Sequence, residues 1–226
     1  MTKFIRSSFI SILFLSLLAL PAMATPIGNT INPGDNLLTV PAISSYSGTL
    51  LVQKVMNFVG NPDYFNGTLW AAVYQDPNGG LDFLYQVRND ATSQTTLQRF
   101  TTNSFADPFV WGTAVSYLTV IPTGWESGIL GTVAPQTANR SAEGSTIGFL
   151  YAAGASGITP GATSYIMMVD CETCRWYGTG HSQVIDGGVW TGETYAPAVP
   201  EPITAGLIGT GLIGLSLLRR RKTMTS

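Results

Sequence analysis

Residues 69–89 read LWAAVYQDPNGGLDFLYQVRN, and this stretch constrains the fold more than any other. In the first arm Leu69, Ala71 and Val73 alternate with Trp70, Ala72 and Tyr74. In the second, Leu81, Phe83, Tyr85 and Val87 share one side. A period of two belongs to a strand, because successive side chains there point to opposite faces. Between the arms, Pro77 sets φ for a turn and Asn78-Gly79-Gly80 accept positive φ. The stretch therefore predicts a β-hairpin. A single hairpin is marginal in water, so it needs further strands to cover its apolar face.

Those partners are legible. Residues 50–59 (LLVQKVMNFV) alternate, with Leu50, Val52, Met56 and Phe58 expected on one side. Residues 97–101, 115–121, 146–151, 164–170, 176–179 and 183–190 are further strand candidates. Between residues 25 and 199 Gly and Pro recur every few residues, and helix periodicity is nearly absent. Many short strands at this spacing predict an all-β fold, an antiparallel β-sandwich of jelly-roll or immunoglobulin-like type. The expected domain covers residues 25–190. Residues 25–47, with Pro26, Pro33 and Pro41, read as an edge or a tail, and residues 191–199 (TGETYAPAV) as a linker.

The ends differ in kind from this body. Lys3 and Arg6 precede the apolar run FISILFLSLLAL at residues 9–20. Pro21 follows, and Ala22 and Ala24 occupy both small-residue positions of a cleavage site. This is the pattern of a secretory signal helix over residues 1–24, with cleavage expected after Ala24. At the other end, residues 203–218 (ITAGLIGTGLIGLSLL) carry no charge. As a helix they extend about 24 Å, enough for one membrane crossing with local thinning. Arg219, Arg220, Arg221 and Lys222 follow as a stop-transfer cluster, and the positive-inside rule places them and residues 223–226 in the cytoplasm. Six of the 11 Lys and Arg thus lie in the terminal segments. The body keeps five cations against twelve acids, a net charge near −7. Such a surface repels a phosphate backbone, so no nucleic-acid partner is expected.

Chemistry is sparse. The one histidine, His181, adjoins Ser182, and in a strand the two face opposite sides. With Asp186 and Cys174 they give no supported triad spacing, so no enzyme, catalytic residue or cofactor is expected. Asp76, Asn78 and Asp82 offer oxygens at alternate positions, as calcium loops do, but the twelfth position is Val87 where such a loop needs a glutamate. A hairpin turn is the better reading, and no metal is expected. Cys171 and Cys174 (CETC) read as one local disulfide at a tight hairpin tip in an exported chain, with free thiols or a redox pair as alternatives. Trp70, Trp111, Trp125, Trp176 and Trp190 leave open a sugar-stacking surface.

The most specific signal is at the end of the chain. Val199-Pro200-Glu201-Pro202, the Gly/Leu/Ile-rich run at 203–218 and the four cations after it closely resemble the PEP-CTERM sorting signal of Gram-negative bacteria, here over residues 200–222. The resemblance implies export, an inner-membrane precursor, and cleavage near Pro-Glu-Pro by an exosortase-type membrane protease in species that make exopolysaccharide. Delivery to the cell surface or extracellular matrix would follow. Two alternatives stay open: a permanent single-pass anchor, and a lectin-like module that binds exopolysaccharide.

Overall fold

The computed structural model describes residues 27–105, 113–152, 154–172 and 174–198. Outside them lie the expected signal helix with Ala22 and Ala24, the sorting residues Val199, Pro200, Glu201 and Pro202, the span 203–218, the cluster Arg219, Arg220, Arg221 and Lys222, and Trp111. Among the described residues no helix is long and apolar enough to cross a membrane.

The described chain is all β apart from one 3₁₀ turn, Gly154–Ser156. Its strands are β1 (Asn29–Thr30), β2 (Asn36–Leu37), β3 (Ala42–Ile43), β4 (Thr49–Val59), β5 (Asn66–Gln75), β6 (Leu81–Asn89), β7 (Arg99–Thr102), β8 (Ala114–Leu118), β9 (Thr137–Arg140), β10 (Ile147–Leu150), β11 (Ile166–Cys171), β12 (Arg175–Ile185) and β13 (Val189–Ala198). They form two sheets. The first runs β1-β8-β11-β6-β5-β4, with β3 also on β8; the second runs β13-β12-β7-β10-β9-β2. All pairs are antiparallel except β3 with β8.

The hairpin read from residues 69–89 is β5 and β6. The Asp76 N–H donates to the Gly80 carbonyl at 3.1 Å, and Gly79 takes φ +96°, which a residue with a Cβ rarely adopts. Leu69, Ala71 and Val73 of β5 and Leu81, Phe83, Tyr85 and Val87 of β6 point between the sheets. There they meet Phe100, Ala138, Ile147, Phe149 and Val184 of the second sheet. Burying side chains of this size contributes about 1.5–3 kcal/mol each, so this layer is the main cohesive force. Tyr85 and Phe100 stack across the layer at 5.1 Å. The Tyr85 hydroxyl also donates to the Tyr195 carbonyl at 3.0 Å, so its polar end is satisfied inside the core.

The first sheet is buried on its outer face as well. Ala72, Tyr74, Leu84, Leu118, Trp125, Ile166 and Met168 form a second, smaller core there. Its cover is the N-terminal segment, through Ile27, Ile43 and Tyr46, and the loop after β8, through Trp125. Gln86 pins that loop: its amide donates to the Ile129 carbonyl at 2.8 Å, and its carbonyl accepts from Trp125 Nε1 at 3.0 Å. Residues 27–47 are therefore edge and lid rather than a loose tail: β1 and β3 lie beside β8, β2 edges the second sheet beside β9, and Ile27, Ile43 and Tyr46 cover the outer core. The expected face of β4 is corrected at one position. A bulge between Leu50 and Val52 turns Leu50 to the outer core, while Val52, Met56 and Phe58 face inward. One extra residue reverses the alternation before it.

Residues 191–199 are no linker up to Ala198. They belong to β13, which pairs with β12 from Ile185↔Val189 to Arg175↔Ala198. Thr194, Tyr195 and Ala196 are buried, and Ser182 and Thr194 hydroxyls meet at 2.8 Å. The strand tolerates Pro197 because it lies at the sheet edge, where a missing N–H breaks no second ladder. The runs 176–179 and 183–190, expected as separate strands, are joined across a bulge between Tyr177 and Gly180, and the second ends at the Asp186-Gly187-Gly188 turn, which leads into β13.

Candidate functional site

His181 and Ser182, nominated from the sequence as a base and a nucleophile, face opposite sides of β12. His181 is exposed on β12, and its backbone N–H donates to Asn103 Oδ1 at 2.9 Å. Ser182 is buried on the opposite side against Thr194. Among the described residues Trp125 is buried, Trp70 and Trp190 are half-buried in the two cores, and Trp176 is the one exposed tryptophan, edge-on to Tyr195. No pair of tryptophan rings forms a stacking platform among them.

Cys171 and Cys174 are joined by a disulfide with Cα atoms 5.5 Å apart. The CETC stretch is not a hairpin tip. Cys171 ends β11 in the first sheet and Cys174 precedes β12 in the second, so the bond clamps a crossover between sheets. Closing so short a loop contributes about 2 kcal/mol in the loop-entropy account. A Cys171→Ser, Cys174→Ser double variant is expected to lose about that much in a urea titration at unchanged slope.

The turn and the crossover bring four carboxylates together, and this is the most unusual chemistry among the described residues. Asp76 opens the β5–β6 turn. Asp82 stands on the outer face of β6, directly opposite Asp170 of β11 in the ladder. Glu172 follows Cys171, so the disulfide loop holds it. Single oxygens of Asp76, Asp170 and Glu172 lie within 4.8 Å of one another. Asp76, Asp82 and Asp170 are all but fully buried, and Glu172 is half-buried at the rim.

Each of the three aspartates is satisfied on one oxygen alone. Asp76 Oδ1 accepts from the N–H groups of Asn78 and Gly80. Asp82 Oδ2 accepts from the Tyr46 hydroxyl at 2.7 Å, and Asp170 Oδ2 from the Ile27 N–H. Asp76 Oδ2, Asp82 Oδ1, Asp170 Oδ1 and Glu172 Oε1 are buried without a partner. Among the described residues no Lys or Arg pairs with them, and the one ion pair is Arg88 with Asp90. Burial first, and mutual repulsion second, push the Asp82 carboxyl up to about 7 and that of Asp170 up to about 8. Glu172 is raised for the same two reasons. Gly80 makes the approach possible: a Cβ there would lie 2.6 Å from Asp76 Oδ2 and 3.0 Å from Glu172 Oε2.

The Asp76–Asp82 spacing holds half of this cluster, and the stretch is the expected hairpin turn between β5 and β6. Asp170 and Glu172 lie far along the chain, and only the β6–β11 pairing brings them there.

The decisive functional signal begins at the last described residue. β13 stops at Ala198, and a family model for the PEP-CTERM protein-sorting motif matches residues 198–222. The chain carries a PEP-CTERM sorting motif. No curated protein matches the chain, and no solved structure does. The motif marks an exported chain with a membrane-anchored precursor and an exosortase-type processing partner. The motif match begins at Ala198, the last residue of β13, so the motif is joined directly to the edge strand of the second sheet.

Proposed function

We propose that this chain is a non-enzymatic surface or extracellular-matrix protein. It reaches the inner membrane through its N-terminal signal, is cut near Pro200-Glu201-Pro202 by an exosortase-type protease, and leaves its membrane segment behind. The observation that carries the reading is the PEP-CTERM match over residues 198–222, which begins at the last residue of β13. The separation of His181 from Ser182 and the enclosure of Cys171 and Cys174 in a disulfide support a non-catalytic role. The body contributes a compact, acidic, two-sheet domain, and the motif contributes the destination.

The test is fractionation of a host strain with and without its exosortase. The active strain is expected to release the sandwich to the medium, while the strain without the protease retains it in the membrane fraction. Equal release from both would contradict the reading.

A further inference from the structure

Among the described residues no cation pairs with the acidic cluster, and its geometry suits one. We propose that Asp76, Asp170 and Glu172, with Asp82 beside Asp170, form a binding site for a calcium ion. This goes beyond sorting, and its failure would leave the sorting reading untouched.

Three independent features point to a cation. The first is distance. Calcium–oxygen contacts are about 2.3–2.6 Å, so two ligands of one ion lie at most about 4.6–5.2 Å apart. The oxygens of Asp76, Asp170 and Glu172 satisfy that limit pairwise, at 4.8 Å or less. The second is the orphaned oxygens. Buried carboxylate oxygens nearly always find partners, yet each of the four presents one that has none. Asp76 and Asp170 turn their other oxygen to backbone N–H groups, which hold the carboxylates in place as hydrogen bonds behind a metal site hold its ligands. The third is shape. Gly80 leaves open the space that a Cβ would take between Asp76 and Glu172, while the disulfide on either side of Glu172 limits its motion.

The donor set selects the ion. All the ligands are hard carboxylate oxygens, which favour calcium, magnesium or manganese over zinc or copper. Calcium accepts an irregular shell of six to eight oxygens, whereas magnesium demands near-ideal octahedral geometry and keeps its waters. A partly enclosed set with Glu172 at the rim fits the first better. Water completes the shell from that side, which is also the route of entry.

The occupied site would tie three remote parts together: the β5–β6 turn, the end of β11 and the crossover loop. Through Asp170 and the Ile27 N–H, and through Asp82 and Tyr46, it also reaches the N-terminal lid. Calcium is abundant outside the cell and scarce within it, so an exported domain would acquire this brace after crossing the membrane.

The experiment is calcium titration of the full-length chain in detergent, by calorimetry and by thermal unfolding. At about 5 mM, several times the dissociation constants of about 0.1–1 mM of extracellular calcium modules, Tm is expected to rise by about 3–9 °C relative to EDTA. Magnesium at the same concentration is expected to give less than half of that shift. Asp170→Asn and Glu172→Gln should abolish the calcium shift and the binding heat, yet unfold in EDTA close to the wild-type Tm because an uncharged amide of the same shape replaces each carboxyl. Glu172→Gln, at the half-buried position, decides the matter if Asp170→Asn does not fold. No binding heat and equal Tm in calcium and EDTA would overturn the site, as would a full shift that survives in Glu172→Gln.

Discussion

Replacing Arg140 by methionine is expected to destabilise the sandwich by about 3–5 kcal/mol and to lower Tm by about 10 °C or more. Arg140 ends β9 and is 6% exposed. Its guanidinium donates to three main-chain carbonyls: Gly144 at 2.9 Å, Ile31 at 3.0 Å and Phe105 at 2.7 Å. Those carbonyls belong to the β9–β10 turn, the N-terminal segment and the chain after β7. One side chain thus closes an end of the sandwich where the strands alone leave backbone oxygens unpaired. Methionine keeps most of the apolar stem and removes all three donors. Each orphaned buried carbonyl then loses a charge-assisted bond, which is why the sum exceeds an ordinary surface substitution. Arg140→Lys is expected to recover a fraction of the loss, because one ammonium cannot reach three carbonyls with the fork geometry of a guanidinium. Urea unfolding of the three proteins measures this, and a loss below about 1 kcal/mol for methionine would contradict it.

In EDTA the protein is expected to lose stability as pH rises from about 4 to about 8, by several kcal/mol in total. In the unfolded chain Asp82 and Asp170 ionise near pH 4. In the folded, cation-free protein they hold their protons until about 7 and about 8. Within that window the folded state binds more protons than the unfolded one, so each step up in pH favours unfolding. Below it both states are protonated, above it both are ionised, and the slope vanishes. The groups that face the pair are the Tyr46 hydroxyl and the Ile27 N–H, which favour ionisation, and Asp76 and Glu172, which oppose it. Burial outweighs the two hydrogen bonds. Denaturation midpoints at pH 4.5 and pH 8 should differ in this direction, and a midpoint that rises with pH would contradict the account.

The sheet architecture was readable because its strands obey a period of two. In β5 and β6 every inward and outward position follows the alternation of the sequence, and the turn between them carries its own chemistry in Asp76 to Gly80. Residues without a local pattern were read less well. Nothing in the alternation of β4 announces the bulge that turns Leu50 outward. Residues 191–199 read as a linker, yet up to Ala198 they form an edge strand, which tolerates both Gly192 and Pro197. The N-terminal segment is short of apolar alternation, and only the tertiary fold shows Ile27, Ile43 and Tyr46 closing a second core. The acidic cluster was half legible. The Asp76–Asp82 spacing is local, but its meeting with Asp170 and Glu172 depends on a strand pairing about ninety residues apart in sequence, between β6 and β11.

The sorting motif is a separate case, legible without any fold because its three parts are contiguous. Its proposed consequence is a covalent one, and the most direct measurement is the intact mass of the protein released by a strain with active exosortase. The account predicts a chain that ends near Pro200-Glu201-Pro202 and lacks the run at 203–218 and Arg219, Arg220, Arg221 and Lys222. A released protein that still contains those four cations would contradict it.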